Sequence, residues 1–109
     1  MAFDEGLAQR VREILDDTRG LVEKKMFGGV GFLVDGNMAV GVLKDEVISR
    51  VGPDLYEDCL AEPYARVFDL TGRAMKGWIW VSADGVEDDD ALRSWCERGL
   101  TFAKTLPPK

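Results

Sequence analysis

The chain has 109 residues, enough to bury one hydrophobic core without disulfide or metal staples. It is 46% apolar and 31% charged, with 14 basic against 20 acidic residues and a net charge of −6. These figures exclude a disordered chain, no apolar run has transmembrane length, and the acidic balance disfavours phosphate backbones at long range. There is no histidine, so a Ser or Cys nucleophile lacks its usual base and zinc its commonest nitrogen ligand.

In chain order, the first segment reads as a helix. Phe3, Leu7, Val11, Ile14 and Leu15 recur at three- and four-residue steps, with Arg10, Arg12, Glu13 and Asp16 opposite. Gly20 is its stop, and Asp4, Glu5 and Arg19 suit the helix dipole. From Leu21 to Val51 the period becomes strand-like in three runs. Leu21 to Val34 reads as one strand with a bulge or bend at Gly28-Gly29. Asp35-Gly36-Asn37 is a hairpin turn, Met38 to Leu43 the second strand, and Val47 to Val51 the third.

Gly52-Pro53-Asp54 opens a short helix with Pro53 at its first position, a stripe of Leu55, Cys59 and Leu60, and a stop at Glu62-Pro63. Two strands follow, around Val67 to Leu70 and Gly77 to Ser82, joined by a loop from Thr71 to Lys76. Asp84-Gly85 turns into the last helix. The run Glu87-Asp88-Asp89-Asp90 supplies a capping carboxylate and first-turn anions, and Leu92, Trp95, Cys96, Gly99, Phe102, Ala103 and Leu106 mark the apolar stripe. The order is α-β-β-β-α-β-β-α in one domain, 1–109. Short links between successive strands demand antiparallel pairing, so the expectation is an α+β, two-layer fold with helices on a five-stranded, mainly antiparallel sheet.

The strand runs lack a polar face. Met26, Val30, Phe32 and Val34 alternate with Gly29, Gly31 and Leu33, and Met38, Val40 and Val42 with Ala39, Gly41 and Leu43. A sheet solvated on one side shows polar residues there. The expectation is that helices cover one face and a second copy of the chain buries part of the other, against the plainer reading that the three helices cover everything. Met26, Met38 and Met75 read as core or interface filler.

Two short motifs stand out. Lys24-Lys25-Met26-Phe27-Gly28-Gly29 and Arg73-Ala74-Met75-Lys76-Gly77-Trp78 each join cations, a methionine, an aromatic and a glycine. Lys24, Lys25, Phe27, Arg73, Lys76 and Trp78 are the candidate partner-contact residues. Solvated charge at strand ends is the plainer account of the cations. Trp78 and Trp80 share a strand face, as core or as a stacking platform for bases. Gly28-Gly29-Val30-Gly31 runs into a strand, whereas a phosphate loop must open a helix.

For enzymes the case is mostly absence. The acidic residues fall in turns and helix starts, and helix capping explains Asp88-Asp89-Asp90 without Mg²⁺. No catalytic residue, cofactor or metal site is assigned. Cys59 and Cys96 lack a CxxC spacing and read as free, buried thiols. The opening Met1-Ala2-Phe3-Asp4-Glu5 has none of the features of a signal peptide, so the chain reads as cytoplasmic, with no membrane partner.

Lys24-Lys25-Met26-Phe27-Gly28-Gly29-Val30-Gly31-Phe32, then Asn37-Met38, Arg50-Val51-Gly52, Met75-Lys76-Gly77-Trp78 and the closing Leu106-Pro107-Pro108-Lys109 resemble the TfoX/Sxy N-terminal domain. The match runs in order over nearly the whole chain. The resemblance implies a fold of the secretion-chaperone-like type, often dimeric, and supplies no catalytic residue. Full-length relatives regulate bacterial competence genes with a cyclic-AMP receptor protein and carry a second domain, which is not expected of this sequence as it stands, to Lys109. The resulting expectation is a small non-catalytic regulatory or protein-interaction module. It forms a homodimer and takes an unidentified protein partner, with the transcription machinery a candidate and direct DNA binding disfavoured. The alternative is a domain that binds a small ligand or nucleic acid.

Overall fold

In the computed structural model, residues 3–26, 28–69 and 72–109 are described. The fold is α+β: one antiparallel sheet and three α-helices, with a short 3-10 turn. Helix α1 spans Glu5–Ile14, and Asp4 caps it by accepting the Leu7 N–H at 3.1 Å. Four strands follow: β1 (Leu21–Met26), β2 (Gly29–Val34), β3 (Asn37–Leu43) and β4 (Glu46–Arg50). Then come α2 (Tyr56–Leu60), β5 (Ala65–Val67), β6 (Trp78–Val81), the 3-10 turn Ala83–Val86 and α3 (Asp89–Lys104).

The sheet has six strands, not five, in the order β1-β2-β3-β4-β6-β5 with every neighbouring pair antiparallel. The run from Leu21 to Val34 is a hairpin rather than one bulged strand, since Met26 pairs with Gly29 and the chain reverses between them. Phe-Gly lacks the Asn-Gly or Asp-Gly signature of such turns, which is why the run reads as continuous. The element order therefore has four strands before α2. Asp35-Gly36 forms the expected turn, with φ of 51° and 86°, the left-handed pair a type I′ hairpin requires. Pro53 lies ahead of α2 and not at its first position, and β5 begins at Ala65, earlier than expected.

All three helices contribute to the core on one face of the sheet. Val30, Phe32, Val40, Val42, Val47, Ile79 and Val81 are buried together with Leu7 and Val11 of α1, Tyr56 and Cys59 of α2, and Leu92, Trp95 and Cys96 of α3. Asp88 caps α3 by accepting the Ala91 N–H at 3.1 Å, and Asp89 and Asp90 fill the first turn, as the acidic run requires. Gly99 brings α3 down onto the backbone of β3 at Ala39, and the buried Ser49 hydroxyl of β4 donates to the Trp95 carbonyl at 2.7 Å. Arg98 forks onto Glu62 at 2.7 and 3.3 Å, tying the chain just after α2 to α3. Cys59 and Cys96 are buried free thiols, and burial pushes the Cys96 thiol up to about 12. Among the described residues no helix is long and apolar enough to cross a membrane.

One irregularity sets which side chains face away from the helices. Phe32 pairs with Val40 but Leu33 with Met38, so Ala39 is an extra residue in β3. The bulge turns Met38 to the face of Gly41, and the reversal before Gly29 turns Met26 to the face of Gly29 and Gly31. Both methionines are therefore on the glycine side, opposite to the side that simple alternation gives them.

Candidate functional site

The face away from the helices is covered by side chains of the strands and of the segment before β6. Phe68, Trp78 and Trp80 stack at centroid separations of 6.0 and 5.4 Å, over Leu43 and Ile48. Gly31 and Gly41 are opposed in β2 and β3, and the space their missing side chains leave is taken by methionine. A Cβ on Gly31 would stand 3.1 Å from the Met26 methyl, and one on Gly41 2.6 Å from the Met38 methyl. Beside them lies a cavity of about 190 Å³, walled by Met26, Met38, Met75, Ile48, Phe68 and Trp78 and with no charged residue in its lining. Thioether walls are adaptable, so its shape can follow an occupant.

At one end of this face is a different chemistry. Arg50 of β4 and Trp78 of β6 are direct cross-strand partners, and the Gly52 N–H donates to the Gly77 carbonyl at 3.0 Å. Two of the segments that carry the family resemblance, 50–52 and 75–78, thus meet in space. Gly52 has φ of 90°, and a Cβ there would collide with the Phe102 ring, so the bare glycine is what admits Phe102. The Arg50 guanidinium lies 4.9 Å from the Trp78 centroid and 5.4 Å from that of Phe102. Lys76 completes a concave corner of about 170 Å³. Burial pushes the Arg50 pKa down, because the rings replace water around a charge.

The candidate residues are dispersed around these features. Lys24 and Lys25 are exposed on the edge strand β1 and, pairing with Gly31 and Val30, point to opposite faces. Strand β1 is four ladder spacings, about 19 Å, from β6, so the two cationic motifs are not brought together by sheet pairing. Arg73 is exposed in the loop, while Lys76 and Trp78 do share the corner. Phe27 lies outside the described residues. Sequence reasoning missed Arg50, Phe102 and Phe68. Arg50 sits in a motif whose sequence marks only the family, and Phe102 on a helix stripe that reads as core. Trp80 packs in the apolar cluster with Arg66 4.8 Å from its ring. Among the described residues, no three acidic or cysteine side chains gather where a metal ion would sit.

The fold and this surface define a small mixed module with helices on one face of an antiparallel sheet and an apolar cavity on the other. The family model for the TfoX N-terminal domain matches residues 13–103, and the chain belongs to that family. Comparison with curated proteins and with solved structures gives no match.

Proposed function

We propose that this chain is a non-catalytic, cytoplasmic regulatory module of the TfoX kind, which works by holding a protein partner on the sheet face away from its helices. Family membership supports the reading at the level of the module. The observation that carries it further is the open face itself: an uncharged cavity with Met75 exposed at its side and a half-buried Trp78 flanked by cations. Such an aromatic–cation combination beside an apolar pocket is the make-up of an interaction hot spot. Homodimerisation, a fold related to the secretion chaperones and a link to the transcription machinery belong to the same proposal.

The test is affinity capture from native lysate, with and without nuclease, by the wild type and by Lys24→Glu, on the open side with Gly31, and Lys76→Glu. Both residues are exposed, so the melting temperature should hold while capture falls. If unfolding shifts as much as capture, the residues are structural and the reading fails. Sedimentation at micromolar concentration tests the dimer; a monomer removes it.

The 190 Å³ cavity favours a second reading, a small-ligand domain. Nucleic acid is the weaker form of that alternative at a net charge of −6. A gel shift that is absent at low salt excludes it.

A further inference from the structure

We propose that the corner formed by Arg50, Lys76, Trp78 and Phe102 is a binding site for an organic carboxylate carried on an apolar body. The inference deepens the interaction reading by naming what the surface recognises, and it is tested without any partner protein.

Four arginines are half-buried: Arg10, Arg12, Arg50 and Arg98. Arg10 reaches Asp89 at 2.9 Å, Arg12 reaches Glu23 at 2.6 Å and Arg98 reaches Glu62 at 2.7 Å. Among the described residues Arg50 has no carboxylate, in a chain that carries 20 acidic side chains. Its guanidinium offers five N–H donors in a planar fork, and aromatic faces satisfy the cation without satisfying those donors. Lys76 adds a second positive charge, and none of the residues lining the corner is acidic. Two cations lining one corner with no acidic residue among its walls favour an oxyanion there.

The surroundings select among oxyanions. Trp78, Phe102 and Pro53 leave an apolar wall beside the charges. A phosphate keeps its hydration shell on every side and gains nothing from such a wall. A carboxylate spends its charge on one edge and presents its body to the rings, matching the fork bidentately. A volume of about 170 Å³ suits a compact body such as a single ring. The source is either a free organic acid or the carboxylate end of a peptide.

The experiment is a ¹H–¹⁵N NMR titration of the full chain at constant ionic strength, following the Trp78 indole N–H, assigned through Trp78→Phe. Sodium benzoate is the main probe, with benzyl alcohol as its uncharged analogue, sodium phosphate as the plain anion and N-acetylphenylalanine as a chain-end mimic. Benzoate should saturate in the millimolar range expected of so small a ligand, shifting Trp78 but not Trp95. Benzyl alcohol and phosphate should bind about tenfold more weakly or not at all. Tighter binding of N-acetylphenylalanine than of benzoate identifies a peptide end; the reverse identifies a free acid.

Arg50→Gln should weaken benzoate by about tenfold or more, and the exposed Lys76→Gln by a smaller factor with an unchanged melting temperature. The proposal is overturned if benzoate gives no saturable shift up to about 50 mM. It is equally overturned if benzyl alcohol or phosphate matches benzoate, or if both variants bind benzoate as the wild type does. Should Arg50→Gln fold poorly, the exposed Lys76→Gln and the benzoate–benzyl alcohol contrast in the wild type decide the matter. None of these outcomes depends on the capture experiment.

Discussion

Gly99→Ala separates two opposing effects that the structure places on one residue. In an isolated helix the change would stabilise by about 1 kcal/mol, because glycine is a poor helix former. In α3 the new methyl would intrude on the Ala39 carbonyl oxygen of β3, 3.1 Å from its carbon and 3.2 Å from the Ser49 hydroxyl. These neighbours are backbone or are held by a buried hydrogen bond, so the helix must lift. Overpacking of this kind costs about 1–3 kcal/mol, and loss of the Ser49–Trp95 hydrogen bond about 1–3 more. The expected net loss is about 3 kcal/mol, against a total stability for such a domain of about 5–15. Urea unfolding followed by tryptophan fluorescence should show the midpoint falling by about 2 M with an unchanged slope. Thr101→Ala, exposed on the same helix, should instead raise stability by a few tenths of a kcal/mol. A Gly99→Ala protein as stable as the wild type would refute the close seat of α3 on β3.

Gly41→Ala offers a contrast, because the atom in the way is the mobile Met38 methyl: the methionine should swing aside at a cost below about 1 kcal/mol in the same assay. Glu23→Gln should cost about 0.5 kcal/mol at neutral pH, the pair with Arg12 being over a third exposed. The hydrogen bond from Arg12 holds the Glu23 carboxyl below its ordinary value of 4.5, so that stability is present above this value and is lost as pH falls through the lower folded value. Unfolding curves of wild type and variant should converge there. Cys96, its pKa raised by burial from 9.0 to about 12, should stay inert to a thiol reagent at pH 8 until the chain unfolds. The unfolded thiol ionises first, so its contribution to stability is complete below pH 9 and falls away as pH rises toward 12, visible as a falling urea midpoint.

Family membership, too, was legible in the primary structure, from short motifs in a fixed order, and the family model bears it out over residues 13–103. The motifs mark the family without saying which of their residues meet. Lys24 and Lys25, adjacent in sequence, diverge because strand neighbours alternate faces. Arg50 and Trp78, distant in sequence, meet because β4 and β6 are paired. The glycines of β2 and β3 make room for methionine, and only the pairing of Gly31 with Gly41 reveals that.

The caps at Asp4 and Asp88, the Asp35-Gly36 turn, the antiparallel pairing and the apolar stripes of α1 and α3 were determined by sequence alone, since each depends on residues within one turn or one short link. Tertiary structure decided the sixth strand, the bulge at Ala39 that sends Met38 to the open face, and the corner where Arg50 lies between Trp78 and Phe102. Those depend on register and on packing between distant segments. A shift of one residue in pairing exchanges the two faces of a strand while leaving its local pattern of apolar residues untouched.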